Sequence, residues 1–250
     1  MTLLDGKVVV VTAAAGTGIG SAAARRCLEE GAAVVVSDRH ERRLAETAAA
    51  LAAEHPGRVH ALACDVTVQE QVDALIEGAA GHFGRIDVMI NNAGLGGEAS
   101  IVDMSDADWT AVLDVTLNGT FRCTRAALRR MVGQGGGGAV VNNASVVGWR
   151  AQRGQAHYAA AKAGVMALTR CAAMDVAAHG IRVNAVAPSL AMHPFLAKVA
   201  SPELLDELAG REAFGRAAQP WEVANVMVFL ASDLAGYLTG EVISVSSQHP

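Results

Sequence analysis

The order of the first four segments constrains the fold of this chain most strongly: a short apolar run, a glycine-rich turn, a helical stretch and a second apolar run. The two runs, Lys7–Thr12 and Ala33–Ser37, are rich in valine, which is typical of parallel strands buried on both faces. The turn covers Ala13–Gly20, and residues 21–30 favour a helix. Parallel strands need such a crossover, so this order predicts a β–α–β unit.

The same alternation continues along the chain. Further strands are expected at Arg58–Cys64, Ile86–Ile90, Ala139–Asn143, Ile181–Val186 and Glu241–Val245. Helices are expected at His40–Glu54, Val68–Phe83, Asp108–Met131, Ala156–His179, Pro202–Glu212 and Pro220–Ser232. This pattern predicts an α/β fold, a Rossmann-type doubly wound parallel sheet whose ligands bind beyond the carboxyl ends of the strands. No linker-like stretch or repeat divides it, so residues 1–250 are expected to form a single domain.

Composition narrows the class of protein. Hydrophobic residues make up 52% and charged residues 18% of the 250 residues, which allows a large core. The net charge of −5, without a basic cluster, makes nucleic acid an unexpected partner. No apolar run is long enough for a membrane span and no signal peptide is recognisable, so a cytoplasmic protein is predicted. The four cysteines are widely spaced, which predicts reduced thiols, and no Cys/His cluster suggests a metal site.

The glycine-rich turn is a candidate site for a dinucleotide pyrophosphate. Glycines let the backbone approach the phosphates, and the N-terminus of the following helix offers free N–H groups and a positive dipole end. The expected cofactor contacts are Gly16, Thr17, Gly18, Ile19 and Gly20. A tight turn whose glycines serve packing alone is the alternative interpretation.

Asp38 ends the second apolar run, at the position where a carboxylate can bind both ribose hydroxyls of adenosine. Its charge would repel a 2′-phosphate, so NAD is favoured over NADP. Arg39 follows directly, is also expected near the cofactor, and would soften that preference. The alternative role for Asp38 is that of a helix N-cap before residues 40–54.

Tyr158 and Lys162 lie four residues apart in an alanine-rich segment that favours a helix, so their side chains share one face. A phenol has a pKa of about 10 and is a poor base at neutral pH. An ammonium at ~4 Å contributes about 4 kcal/mol at an effective dielectric of ~20, an upper estimate of roughly three pKa units. Lys162 is therefore expected to lower the pKa of Tyr158 and to make it an acid/base. For an isolated match, an amphipathic surface pair is the alternative.

In combination these motifs resemble the short-chain dehydrogenase/reductase family over essentially the whole chain. Further matching residues are Asp65-Val66, Asn91-Asn92-Ala93-Gly94, Ser145 and the segment Arg182–Pro188. The resemblance implies an oxidoreductase that interconverts a secondary alcohol and a ketone. In it Tyr158 is the catalytic acid/base, Ser145 polarises the substrate oxygen, and Lys162 binds the nicotinamide ribose.

The resemblance also implies cofactor contacts along the strand ends, by Asp65, Val66, Asn91, Ala93, Gly94, Pro188 and Ser189. It implies a homo-oligomer, most often a tetramer, that packs through the helices at 108–131 and 156–179. Enoyl reductases of similar fold usually space their tyrosine and lysine more widely, so that activity is disfavoured.

Four features depart from the family pattern. The turn has one residue more than usual before Gly18, with alanines where the first glycine is expected, and Ser246-Ser247-Gln248 replaces a common Asp-Gly-Gly. Ser189 replaces a glycine, and His193 aligns with a threonine that commonly touches the nicotinamide amide. Thr116 aligns with the asparagine of the proton relay, and its hydroxyl is expected to bind the relay water as part of the catalytic set. Asn118 lies about 200° further around a helix and is not expected to substitute.

The substrate is expected to contact a variable lid at about residues 189–214. Candidate contacts are Trp149, Arg150, Arg153, His193 and Phe195. The two arginines could hold an anionic tail such as a carboxylate or a coenzyme A phosphate, and solvated surface arginines are the alternative. Apolar lid residues could equally pack against the domain.

A narrower resemblance concerns residues 142–152, the alanine-rich turn and the ending at 245–248. These are similar to a bacterial family member of late steroid-ring catabolism, which implies as substrate a ring hydroxyl on an indanone-type coenzyme A thioester. One alternative is a 3-oxoacyl-thioester reductase, against which Asp38 argues because such enzymes usually use NADPH. The other is a cofactor-binding sensor or scaffold without catalysis.

Overall fold

The computed structural model describes residues 2–192 and 202–247. Its centre is a seven-stranded sheet in the order β3-β2-β1-β4-β5-β6-β7, in which all neighbouring strands pair in parallel. The strands are β1 Val8–Val11, β2 Ala33–Asp38, β3 Val59–Ala63, β4 Val88–Asn91, β5 Gly138–Asn143, β6 Ile181–Pro188 and β7 Val242–Val245. The predicted doubly wound parallel sheet is confirmed.

Helices cover both faces of the sheet. They are α1 Ile19–Glu29, α2 Glu41–Glu54, α3 Gln69–Phe83, α4 Asp106–Leu113, α5 Gly119–Gln134, α6 Ala156–Val176, α7 Pro202–Arg211 and α8 Pro220–Ala231. Successive residues of β1 serve opposite faces: Val9 and Val11 pack with α1 and α8, whereas Val10 packs with α3 and α5. This double burial explains why β1 is an uninterrupted run of valine rather than an alternating sequence.

One predicted helix is interrupted. The segment expected to be continuous over 108–131 consists of α4 and α5 joined by a π-helical turn, Asp114–Asn118, which contains Thr116. Extra residues of this kind inside helices are common at functional sites because they re-aim a side chain. The other boundaries differ from prediction by at most two residues, except that α6 ends at Val176 and residues 177–179 form a 3-10 turn.

The strand order reverses between β1 and β4, which are neighbours in the sheet although two strands separate them in sequence. At such a switch point the connections leave to opposite faces and open a crevice beyond the carboxyl ends of the strands. The glycine-rich turn follows β1 and residues 91–94 follow β4, so both border this crevice. Among the described helices, none is long and apolar enough to cross a membrane.

Candidate active site

The turn after β1 keeps a left-handed conformation although an alanine stands where a glycine is expected. Ala13 has φ 49°, the one positive φ among the described non-glycine residues. Its carbonyl accepts a hydrogen bond from Asn92 Nδ2 at 3.1 Å. The Thr12 hydroxyl accepts the backbone N–H groups of Asn92 and Ala93 at 3.0 and 3.1 Å. The segment after β4 therefore holds the strained turn in place, since such conformations persist only when neighbours enforce them.

The N-terminus of α1 is suited to an anion. Gly18 precedes the helix, no side chain caps it, and its first turn carries no acidic residue. A Cβ added to Gly18 would meet no atom within 4 Å, which leaves room above the turn for a ligand. At Gly20 a Cβ would lie 2.4 Å from both the Ala13 carbonyl oxygen and Asn92 Nδ2. Gly18 thus leaves space for phosphate, whereas Gly20 permits helix and turn to pack closely.

Asp38 lies at the carboxyl end of β2 and is 8% exposed. Its carboxylate accepts the N–H of His40 at 2.9 Å and that of Ala15 at 3.4 Å. The N-cap of α2 is His40, without a side-chain capping bond, so the alternative role of Asp38 as N-cap is wrong. Asp38 instead links the glycine-rich turn to the start of α2 and places a carboxylate at the carboxyl end of β2.

Asp65 lies after β3, next in line along the same edge of the sheet. The pKa of its carboxyl is lowered overall. Burial alone would raise this pKa, but hydrogen bonds from the Thr67 N–H and hydroxyl, at 2.9 and 2.7 Å, more than offset that effect. The positive charge of exposed Arg39 also lowers this pKa. Arg39 and Asp65 are therefore close enough to interact at the edge where the adenosine is expected. Val66 is buried and packs against Gly119 rather than facing solvent.

Three of the four residues predicted to be catalytic come together: Ser145, Tyr158 and Lys162. Ser145 follows β5 and is 8% exposed, and its side chain forms a hydrogen bond with that of Tyr158. Tyr158 and Lys162 lie in the first two turns of α6, and the Lys162 Nζ atom is 5.4 Å from the centre of the Tyr158 ring. A hydroxyl, a phenol and an ammonium on one wall of the crevice form an arrangement that can polarise an oxygen and move a proton.

The predicted direction of the tyrosine pKa shift is wrong for the chain without a cofactor. Burial raises the pKa of Tyr158 to about 12, although the hydrogen bond with Ser145 lowers it. Burial also lowers the pKa of Lys162 to about 7, because the ammonium loses hydration without gaining a counter-ion. The spacing in the sequence gives proximity but not burial, and burial outweighs the attraction here.

Asn92 and Asn143 connect the candidate site residues, and the sequence analysis did not predict this role for either residue. Lys162 Nζ donates to the carbonyl oxygen of Asn143, whose Nδ2 donates to Asn92 Oδ1 at 2.9 Å. Asn92 in turn donates to the carbonyl of Ala13, so a chain of polar contacts runs from Lys162 to the glycine-rich turn. The sequence signal that could have identified them is an Asn-Asn pair at the end of β4 and another at the end of β5. Asn91 is in register with Asn142 in the sheet, so the residues that follow them, Asn92 and Asn143, lie side by side.

Asn91, which was expected along the cofactor, points into the protein instead. It is 2% exposed, and its Nδ2 donates to Thr124 Oγ1 at 2.9 Å and to Asn142 Oδ1 at 2.8 Å. Gly94 does border the crevice, since a Cβ there would be 3.6 Å from Lys162 Nζ and 3.8 Å from Thr116 Oγ1. Within the segment 91–94, Gly94 therefore borders the crevice, whereas the side chain of Asn91 does not.

Thr116 is fully buried and binds the main chain of Leu95 in both directions. Its hydroxyl accepts the Leu95 N–H at 2.9 Å and donates to the Leu95 carbonyl at 3.0 Å. The single hydroxyl proton is thereby used, so this side chain could bind a relay water only through its second oxygen lone pair, as an acceptor, and its expected role in the relay stays a prediction. Asn118 points away and donates to Asp114 Oδ1 at 3.2 Å, as its angle around the helix predicted.

The expected substrate contacts are only partly described. Trp149 is 42% exposed, and the structure shows no ion pair for Arg150 or Arg153 with any described residue. Pro188 ends β6, and the N–H of Ser189 donates to the carbonyl of Val245 at 3.2 Å. A small cavity of about 140 Å³ lies beside Ser189, next to Phe214 and Ser247. His193, Phe195 and Gln248 lie outside the described residues.

This sheet, with a glycine-rich turn after β1 and a Ser–Tyr–Lys cluster beyond β5, defines an oxidoreductase of the nicotinamide-binding class. Residues 13–247 match the family described as enoyl-(acyl carrier protein) reductase. A crystal structure of a short-chain dehydrogenase from Mycobacterium smegmatis superposes with a TM-score of 0.89 and 58% identity, covering 100% of this chain and 95% of that one. The chain belongs to the short-chain dehydrogenase/reductase family, as its motifs predicted.

Two curated relatives narrow the comparison. The chain is 66% identical over 248 residues, 99% of this chain and 95% of the relative, to (5R,7aS)-5-hydroxy-7a-methyl-1-oxo-2,3,5,6,7,7a-hexahydro-1H-indene-carboxyl-CoA reductase of Mycobacterium tuberculosis. It is 41% identical over 243 residues, 97% of each chain, to a 3-oxoacyl-(acyl-carrier-protein) reductase of Thermotoga maritima. The narrower resemblance inferred from residues 142–152 is therefore confirmed, and the thioester-reductase alternative has support at lower identity.

Proposed function

We propose that this protein catalyses NAD-dependent interconversion of a ring hydroxyl and a ketone on an indanone-type coenzyme A thioester derived from a steroid. The observation that carries the proposal is the Ser145–Tyr158 hydrogen bond beside buried Lys162, in a chain 66% identical to a hydroxy-indene-carboxyl-CoA reductase. A retained catalytic cluster argues against a sensor or scaffold without catalysis.

The residues of the crevice fit a nicotinamide dinucleotide. The open space above Gly18 and the uncapped N-terminus of α1 would take the pyrophosphate, and Asp38 and Asp65 would hold the adenosine end. The Asp38 carboxylate supports NAD over NADP, because a 2′-phosphate beside it would meet like charge. Exposed Arg39 would weaken that discrimination without reversing it, since Asp38 lies nearer to the turn.

Hydride transfer is the chemistry that a bound nicotinamide supplies. Ser145 would donate a hydrogen bond to the substrate oxygen and so stabilise the charge that develops on it. Tyr158 would take the hydroxyl proton during oxidation and return it during reduction. Lys162 would orient the nicotinamide ribose and favour the phenolate, with its own position fixed by Asn143.

We propose that the polar end of the substrate lies near the 149–153 loop. Arg150 and Arg153 carry charges that no described acidic residue neutralises, which suits the phosphates of coenzyme A. Trp149 offers an exposed apolar face beside them for the ring system.

A homo-oligomer, most simply a cytoplasmic tetramer, is part of the proposal. Large apolar side chains are exposed on the helices expected to pack against symmetry mates: Trp109 on α4, Phe121 on α5 and Met174 on α6. Exposed apolar clusters on soluble domains commonly mark such interfaces.

The test is a steady-state assay with NAD or NADP and three alcohols: a hydroxy-indanone coenzyme A thioester, the corresponding free acid and a 3-hydroxyacyl coenzyme A. The proposal predicts the highest kcat/KM for the thioester of the ring alcohol with NAD. Arg150→Gln with Arg153→Gln should raise KM for the thioester about tenfold and leave that of the free acid nearly unchanged. A preference for the acyl substrate with NADPH would favour the 3-oxoacyl reductase instead.

A further inference from the structure

His157, the residue directly before Tyr158, is a buried imidazole for which the mechanism above has no role. It is 1% exposed and lies in the first turn of α6. Its Nδ1 accepts the backbone N–H of Tyr158 at 2.9 Å. The first N–H groups of a helix have no partners within the helix, and the N-cap residue Gln155 provides no side-chain capping bond. The imidazole is therefore what satisfies the amide of the catalytic tyrosine.

The other edge of the ring faces the loop that follows β4. Because Nδ1 is an acceptor, the neutral ring carries its proton on Nε2. A Cβ built on Gly97 would lie 3.0 Å from that Nε2, so the ring packs directly against the glycine. Any larger residue at this position would push the loop and the ring apart.

The same loop is tied to the start of α6 at two further points and covers the tyrosine. Gln155 Nε2 donates to the carbonyl of Gly97 at 2.8 Å, and the N–H of Ala99 donates to the carbonyl of Gly154 at 3.0 Å. At Gly96 a Cβ would be 4.0 Å from Tyr158 Cδ2. His157 thus lies between the main chain of Tyr158 and the loop that forms one wall around its ring.

We propose that His157 is a positioning residue for Tyr158. Through Nδ1 it fixes the main chain of the tyrosine, and through the Nε2 edge it sets the distance between α6 and the 95–99 loop. Both contacts determine where the Tyr158 hydroxyl lies relative to Ser145. This inference rests on the proposed role of Tyr158 as acid/base, because only then does the position of its hydroxyl affect turnover.

Two amide side chains separate the functions of the two ring nitrogens. In His157→Asn the amide oxygen takes the place of Nδ1, so the bond to the Tyr158 N–H is preserved. In His157→Gln the amide reaches the place of Nε2 but provides no acceptor at the Nδ1 position. His157→Leu removes both functions and keeps a buried side chain of similar bulk.

The decisive readout is hydrogen exchange at the Tyr158 amide, measured on the full chain without cofactor or substrate. We expect protection in wild type and His157→Asn and at least about tenfold faster exchange in His157→Gln and His157→Leu. In the assay with NAD and the hydroxy-indanone thioester, we expect kcat within about threefold of wild type for Asn. For Gln and Leu it should fall about tenfold or more, with KM for NAD unchanged.

Equal behaviour of the Asn and Gln variants, in exchange or in kcat, would overturn the proposal. If His157→Leu does not fold, the contrast between Asn and Gln still decides. A wild-type protein that oxidises none of the alcohols would refute the proposed function, whereas the exchange rates would still show whether His157 holds the Tyr158 amide.

Discussion

The Nζ atom of Lys162 lies 5.4 Å from the centre of the Tyr158 ring, and burial, not a neighbouring charge, shifts the pKa of each group most. The pKa of Tyr158 is raised to about 12 and that of Lys162 lowered to about 7, in both cases because of burial. At neutral pH the chain alone therefore keeps the tyrosine as a neutral phenol. In the proposed reaction, activation of the tyrosine has to come with cofactor and substrate binding rather than from the lysine alone.

Replacing Tyr158 with phenylalanine removes the hydroxyl and leaves a ring of nearly the same shape. We expect kcat to fall by about 10² to 10⁴-fold, the usual contribution of a positioned acid/base. NAD affinity should stay within about threefold, because the glycine-rich turn and Asp38, which are proposed to bind NAD, are unchanged. Steady-state kinetics and calorimetric titration with NAD measure the two quantities. Turnover like that of wild type would remove Tyr158 from the catalytic role.

Lys162 gives a pH dependence of stability whose sign can be stated. Its pKa is about 7 in the folded chain and 10.5 as the reference value for the unfolded chain. Below pH 7 the ammonium is charged in both states, so the cost of burying it is fully present. Between about pH 7 and pH 10.5 Lys162 is protonated in the unfolded chain but not in the folded chain, so the free energy of unfolding rises with pH.

We therefore expect Lys162→Met, measured without cofactor, to be more stable than wild type at pH 6.5, by on the order of a few kcal/mol. The difference should shrink as the pH approaches 10. Urea denaturation across this range is the measurement, made in the Tyr158→Phe background so that the tyrosine does not titrate. A stability difference independent of pH would show that burial does not govern this lysine.

Two glycines of the glycine-rich turn should respond differently to substitution by alanine. Gly20→Ala would place a Cβ 2.4 Å from Ala13 O and Asn92 Nδ2, so it should lower both the free energy of unfolding, by about 1–3 kcal/mol, and NAD affinity. Gly18 has φ −86° and open space around the Cβ position. Gly18→Ala should leave stability within about 0.5 kcal/mol of wild type and weaken NAD about tenfold or more.

Thermal unfolding and NAD titration of both variants check this pair. Gly18→Ala with wild-type affinity for NAD would show that the pyrophosphate does not lie above this turn. Loss of stability in Gly18→Ala, or none in Gly20→Ala, would contradict the packing described for the turn.

The fold could be predicted because parallel strands buried on both faces leave continuous apolar runs, and the position of the glycine-rich turn could be predicted because strand, turn and helix follow one another there. The packing of Gly20 against Ala13 and Asn92 could not be predicted, because Asn92 is distant in sequence. The contacts of the Thr116 side chain could not be predicted, because the π-helical turn at 114–118 leaves no recognisable pattern in the sequence. The inward direction of Asn91 follows from its register with Asn142, a contact between strands distant in sequence. The pKa of Tyr158 depends on burial, which the Tyr-x-x-x-Lys spacing does not specify.

Asp38 decides the cofactor in the proposed function, and its two structural hydrogen bonds make a control necessary. Asp38→Ala should weaken NAD by about ten- to a hundredfold, because hydrogen bonds to a charged group contribute about 1.5–3 kcal/mol. The affinity for NADP should fall much less, since the same change removes a repelling charge, so the ratio of the NAD and NADP affinities narrows.

Thr47→Val is the matched control: it removes the hydrogen bond from the Gly16 N–H to Thr47 Oγ1, 3.0 Å long, without changing charge. It should affect NAD and NADP alike. An unchanged NAD/NADP ratio in Asp38→Ala would mean that this carboxylate only holds Ala15 and His40 in place.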